Sequence, residues 1–427
     1  MVKLMTVPFY PANILLPKEN FEKWSVIACD QYTSDSKYWK DVEEIVADAP
    51  SALKITLPEI YLEEDDVEER VEKINETMEK YLADGIFEEL TNSFIYVERT
   101  LRSDTVRKGI VGVVDLEAYD FLPDSKALIR ATEKTVTERI PPRVKIRKNA
   151  SLELPHIMLL FDDPGDSIFS SLSKFKPTMK KVYDFELMKN SGYISGWKAE
   201  GAAAEDIKKE FEELFKRSVE HAEGKSPLLF AVGDGNHSLA TAKTCWEIIK
   251  PFLTEEEKAS HPARFALAEA VNIHDESLDF EPIHRVVFNT DTELFRDELL
   301  KYFSGRISED QGDVNDFNDF VVVSSEYEHV YELLEKRTNL TIGDVQEFLD
   351  YYIKEIDTGA KIDYIHGDGV AIDLGRKEKN IAILMPSISK SDLFDMVMLA
   401  GVLPRKTFSM GEADDKRFYL EAKKITK

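Results

Sequence analysis

At 427 residues the chain is long enough to bury a large core and to divide into two or three domains. An apolar fraction of 43% argues against wholesale disorder, and no apolar run approaches membrane-spanning length. The net charge of −26 disfavours phosphate-backbone binding over any wide surface, which argues against nucleic acid as a partner. The two cysteines, Cys29 and Cys245, support neither a disulfide framework nor a cysteine zinc site. Met1 to Pro8 is too short and too weakly apolar for a signal peptide, so a cytoplasmic location is expected.

In chain order, apolar Val26-Ile27-Ala28-Cys29 runs into Asp30, a carboxylate at a strand end. Asp65 to Leu82 carries Val67, Val71, Ile74, Met78 and Leu82 at helical spacing, with Gly85 as its stop. Phe94 to Thr100 and Gly109 to Leu116 read as the two strands of an antiparallel hairpin. Arg139, Arg143, Lys145, Arg147 and Lys148 form a basic island in an acidic chain; a solvated strand edge and a binding segment are equally good readings. Pro155 to Phe161 is a buried strand, and Ile207 to Val219 an amphipathic helix. Beyond Phe288, helices at Leu294 to Phe303, Val345 to Ile353 and Ser391 to Ala400 alternate with strands at Phe320 to Val323 and Ile381 to Leu384. That alternation predicts a second, mixed domain.

The densest signal is Leu228 to Ala242, where an apolar run stops at Gly233-Asp234-Gly235 and restarts as Asn236-His237-Ser238 and a small-residue helical pattern. This predicts a buried strand, a tight turn and a helix N-terminus, which aims free N–H groups and a positive dipole end at one point. The dipole contributes about 0.3–1 kcal/mol to a bound anion. Each charge-assisted hydrogen bond adds roughly 1.5–3 kcal/mol, so a polyphosphate needs further donors, cations or a metal. Asn236, His237 and Ser238 offer donors, while Asp234 suits a metal ion, a histidine partner, a proton acceptor or simply a turn. The pattern stops one residue short of a dinucleotide fingerprint, with Ser238 where the third glycine belongs. Glu255 to Glu257 lie about 20 residues downstream, where a ribose-binding acid would sit, yet they read as a solvated helix start. No phosphate loop, H-E-x-x-H or G-x-S-x-G occurs.

Asp234-Gly235-Asn236-His237-Ser238 with Ala242 resembles the D-G-H-H-R…A motif of the ParB-like and sulfiredoxin-like fold, and the chain as a whole resembles the domain-of-unknown-function 1015 family. Glu133-Lys134-Thr135 is similar to its H-E-K-T element, with Thr132 in place of the histidine, and Arg143 lies in the basic segment that follows. Pro282-Ile283-His284-Arg285 and Pro404-Arg405-Lys406-Thr407 are similar to its P-T-H-R and P-Q-K-S elements, and Asp30 falls at its P-Y-D. The resemblance implies an α+β fold: a ParB/sulfiredoxin-like core with a mixed sheet in residues 1–290, and a second mixed α/β domain in 291–427 contributing basic residues to the site.

The fold implied by this resemblance includes kinases of free L-serine, so the expected activity is transfer of a phosphoryl group to the serine hydroxyl from ATP, ADP or pyrophosphate. The implied donor cradle is Gly233, Gly235, Asn236 and Ser238, with Glu133, Lys134, Thr135, Arg143, His284, Arg285 and Lys406. Asp30 is the expected base, Asp234 the expected Mg²⁺ ligand or histidine partner, and His237 the contact to the transferring group. Ser238 in place of the arginine removes a bidentate clamp, which leaves the donor open. A nicotinamide-dependent oxidoreductase and a non-catalytic nucleotide-binding module are the alternatives, and a homodimer is left open.

Overall fold

A computed structural model describes residues 6–426, apart from 34, 63, 136, 138–139, 311–317, 339 and 405. Arg139 and Arg405 thus lie outside the described residues. The chain packs as two units: Met1–Leu278 together with Glu412–Lys427, and Asp279–Gly411. The sequence suggested one boundary after residue 290, but the chain crosses between the units twice. Its last segment returns to the first unit, pairing Phe418–Tyr419 with Val26–Ile27 and Lys423–Lys424 with Leu152–Glu153. Two-residue strands have no periodicity to announce them.

In the first unit, eleven described strands form one mixed sheet. Its central order is Phe87–Thr100, Val106–Asp115, Phe265–Asn272, Met158–Phe161, Phe230–Asp234 and Ile129–Ala131. The predicted hairpin is present, with Ile95 opposite Val111 and Val97 opposite Gly109. Strand alternation divides its side chains between two cores. Phe94, Tyr96, Ile110 and Val114 pack with Phe211 and Trp246 of the helices Ala202–His221 and Asn236–Ile249. Ile95, Val97, Val111 and Val113 pack with Trp24, Trp39, Ile74 and Met78, the last two from the helix Val67–Ala83.

Phe230–Asp234 runs parallel to Ile129–Ala131 and antiparallel to Met158–Phe161. A strand flanked on both sides and covered on both faces reads as a continuous apolar run, which is why it was visible. The basic island is instead the helix Ile140–Arg147, opened by Pro141 and Pro142 in the first turn where a missing N–H costs nothing. The strand-edge reading is thereby corrected.

The second unit holds a seven-stranded described sheet ordered Ile307–Asp310, Glu328–Leu333, Asp319–Val323, Asn380–Leu384, Phe280–Phe288 and Lys361–His366, with Phe408–Met410 on Phe280–Pro282. The helices Thr292–Tyr302 and Thr341–Tyr351 follow the apolar spacing, and Phe295 sits edge-on to Phe348 and near Tyr352 in their shared core. Large mixed sheet, second sheet and packed helices make the chain α+β, as expected. No helix among the described residues is long and apolar enough to cross a membrane.

Candidate active site

The Gly-Asp-Gly turn is built as its residues dictate. Gly235 has φ +76°, and a Cβ there would lie 2.9 Å from Ile157 Cα. Only glycine meets both the left-handed backbone and the close approach. Asp234 Oδ1 accepts the Gly235 N–H at 2.8 Å, the local turn bond expected of it. Gly233 is the extra residue where the pairing with Met158–Phe161 shifts register. Asn236 opens the helix, and no side chain caps the N-terminus at Gly235. The first-turn N–H groups have no intrahelical acceptor. Asn236, His237 and Ser238 are each half-buried, and Asn236 Oδ1 is buried without a partner among the described residues.

Two residues that sequence reasoning missed complete this end of the sheet. His156 immediately precedes Ile157, the residue pressed against Gly235, and its side chain is 5% exposed. His156 Nε2 stands 3.2 Å from Asp30 Oδ2. Asp30, 28% exposed, also accepts from Gln31 Nε2 at 3.0 Å. The second is Lys416, whose Nζ lies 3.7 Å from Asp234 Oδ2, an oxygen otherwise buried without a hydrogen bond.

The electrostatics follow from these placements. Burial pulls the His156 imidazole down, but the charge of Asp30, with Asp234 and Glu59, outweighs it and holds His156 above its ordinary value. Burial pushes the Asp30 carboxyl up, and the facing His156, then Gln31 and Lys416, hold it well below the usual carboxylate range. Asp30 is therefore ionised at neutral pH, and His156 is poised to carry the paired proton.

The segment that delivers Lys416 is clamped from the sheet. Arg99 donates to the carbonyls of Lys416 and Asp414, both at 2.6 Å, and Arg107 to that of Asp415 at 2.8 Å. Arg417 in turn fixes His156 by donating to the Pro155 carbonyl at 2.9 Å, its charge met by Glu269 and Glu421 at 2.7 and 2.6 Å.

Each of the other expected residues has local surroundings of its own. Arg143 pairs with Glu59, whose N–H binds the Cys29 carbonyl at 2.8 Å. Thr132 hydrogen-bonds the Val232 carbonyl at 2.7 Å, a structural use of the position where the family element carries histidine. Glu133 is half-buried, Lys134 is exposed, and the buried Thr135 hydroxyl lacks a partner among the described residues.

His284, Arg285 and Lys406 belong to the second unit. His284 is bound to Met385 N–H and Asp368, and Arg285 to Gln346 and the Ile283 carbonyl, so both take part in that unit's own packing. Lys406 is exposed at φ +58°.

No group of three His, Cys, Asp or Glu side chains that could hold a metal ion occurs among the described residues. Asp234 was the expected Mg²⁺ ligand, but Oδ1 holds the turn and Oδ2 faces an ammonium. These residues do not fit a protein-held metal. Glu257, in the run placed for a ribose, caps its own helix by accepting the Thr254 N–H at 3.0 Å.

The profile of a family described as "Protein of unknown function (DUF1015)" matches residues 9–352. No curated protein matches the sequence. Solved structures similar to this chain include a free serine kinase in complex with AMP, at 11% identity and TM-score 0.39, covering 74% of this chain and 90% of that one. A C-terminally truncated SbnI from Staphylococcus aureus follows at 8% identity and TM-score 0.37, covering 72% and 85%. A conserved hypothetical protein from Pyrococcus furiosus has 10% identity and TM-score 0.37, covering 74% and 94%.

Proposed function

The chain belongs to the DUF1015 family, and we propose that it is a phosphotransferase carrying a phosphoryl group to the hydroxyl of free L-serine. One observation carries the reading. The Asp30–His156 pair and the Asp234–Lys416 pair feel each other's charge, and the second pair sits in the turn that opens the uncapped helix Asn236–Ile249. Phosphoryl transfer asks little covalent chemistry of a protein; it requires positioning, neutralisation of charge and a carboxylate near the acceptor hydroxyl.

In the proposed step the serine oxygen attacks the terminal phosphorus of the donor. The bond from that phosphorus to the leaving phosphate oxygen breaks as the new P–O bond forms. The hydroxyl proton passes to Asp30, and His156 supports the carboxylate from the other side. Charge on the transferring group meets the Lys416 ammonium and the N–H groups of Asn236 to Ser238, with His237 beside them. Lys416 supplies the positive charge lost where Ser238 replaces the motif's arginine. It does so as a point charge rather than a bidentate fork. The choice of serine as acceptor is supported by the motif resemblance, while the donor stays among ATP, ADP and pyrophosphate.

The test is a donor-by-acceptor screen of the full chain with Mg²⁺ present, read by phosphorus NMR. O-phosphoserine from at least one donor, lost in Asp30→Asn, is the expected result. Product no greater than that of a His237→Ala control with every donor overturns the reading. Nucleotide binding without turnover would favour the binding-module alternative, and a saturable NADH fluorescence change the oxidoreductase.

A further inference from the structure

Tyr419 is buried in the C-terminal strand Phe418–Tyr419, opposite Val26. Its oxygen accepts the Cys29 N–H at 3.2 Å and stands 2.9 Å from both His156 Nδ1 and Cys29 Sγ. A phenol has one proton for those two remaining partners. On the far side of the ring, His156 Nε2 is engaged with Asp30.

Two arrangements give every nitrogen and oxygen of this hydrogen-bonded row a partner. With a neutral ring, Nε2–H donates to Asp30 and the Tyr419 hydroxyl donates to Nδ1. With a protonated ring, Nδ1–H donates to the Tyr419 oxygen and the hydroxyl turns to donate to Cys29 Sγ. Burial first, then the neighbouring Asp30 charge, push the Cys29 thiol up to about 12, so the sulfur stays a neutral acceptor.

We propose that Tyr419 is a positioning residue whose hydroxyl, turning between His156 Nδ1 and Cys29 Sγ, lets the ring beside Asp30 gain and lose a proton without stranding a buried polar atom. The surrounding charges make both states reachable. Asp30, Asp234 and Glu59 favour the protonated ring, while Lys416 beside Asp234 and Arg143 beside Glu59 oppose it. The charge of Arg417 is already met by Glu269 and Glu421. The consequence for turnover rests on the phosphotransferase reading; the geometry does not.

The experiment follows the ring nitrogens of His156 through pH by NMR on the full chain, assigned with His156→Gln, alongside the pH–rate profile. Tyr419→Phe leaves Nδ1 without a partner in either state, and a stranded charged donor costs more than a stranded neutral acceptor. The His156 midpoint should therefore fall by about one pH unit. Cys29→Ala should move it the same way by less, and Cys29→Ser should return it toward the wild-type value. In turnover, Tyr419→Phe should lower kcat and shift its pH profile with KM for serine little changed. A folded Tyr419→Phe chain with an unmoved His156 midpoint overturns the proposal. If that variant does not fold, an unmoved midpoint in Cys29→Ala overturns it instead. A moved midpoint in a chain that turns over no donor supports the role of Tyr419 while removing the kinase reading.

Discussion

Each unit of this protein buries a histidine against an aspartate, and the two pairs behave oppositely. His156 in the first unit faces Asp30, with Asp234 and Glu59 adding negative charge, and it is held above its ordinary value against the pull of burial. His284 in the second unit faces Asp368, yet burial dominates, Arg285 and His366 add to it, and His284 is held below its ordinary value. The partner on Nδ1 separates them further. Tyr419 presents a hydroxyl that can turn, whereas Met385 presents a backbone N–H at 3.1 Å that can only donate. Nδ1 of His284 must stay an acceptor, so Nε2–H donates to Asp368 at 2.7 Å and the ring is locked neutral. The same two residue types hold a ring that can take up a proton in one place and a ring locked neutral in the other.

The comparison is broken most forcefully at the first pair. Asp30→Asn removes the proposed proton acceptor and the charge that holds His156. Loss of general base catalysis typically costs on the order of 10²–10⁴ in rate. Single-turnover formation of O-phosphoserine should therefore fall by that range, with nucleotide binding retained. Wild-type rates in Asp30→Asn would reduce this pair to a brace like the other.

How much of this the sequence disclosed follows from the kind of signal each residue gives. The strand–turn–helix at Gly233 to Ser238 was legible because a central strand is a solid apolar run and Gly235 marks a left-handed backbone. Asp30 was legible as a carboxylate at a strand end. His156 was not: it sits in the apolar run Leu154-Pro155-His156-Ile157, which reads as core, and its partner is distant in sequence. Lys416 and Tyr419 were hidden because their segment has no period and is held by Arg99 and Arg107, whose role as clamps no local pattern records. The basic island shows another limit of sequence: its residue types were plain, but its helical form and the ion pairs of Arg143 with Glu59 and of Arg147 with Glu153 were not.

A smaller effect sharpens the contrast through pH and stability. Both histidines start from an unfolded value near 6.5. His156, raised on folding, contributes stability that is fully present below that value and lost as pH rises through its folded one. His284, depressed on folding, does the reverse: as pH falls through 6.5 the unfolded chain takes up a proton that the folded ring refuses, and stability is lost. Denaturation of His156→Gln and His284→Gln at pH 5.5 and 8 should thus give opposite trends. The penalty of His156→Gln should grow toward acid and that of His284→Gln shrink. Parallel trends would mean that the two rings sit in equivalent environments.

The smallest expected effect lies at Asp368. Its side chain is 72% exposed, so water already solvates most of the charge that faces His284. Exposed pairs contribute about 0–1 kcal/mol, and an amide oxygen can still accept from Nε2–H. Asp368→Asn should therefore change denaturation midpoints within that small range, and the His284 ring signals should keep the neutral Nε2–H form across pH 5.5 to 8. The reason is that Met385, not Asp368, fixes the tautomer. A protonated His284 appearing in Asp368→Asn at pH 5.5 would show instead that the backbone N–H is not what locks the ring. The carboxylates alone would then separate the proton-carrying pair from the brace.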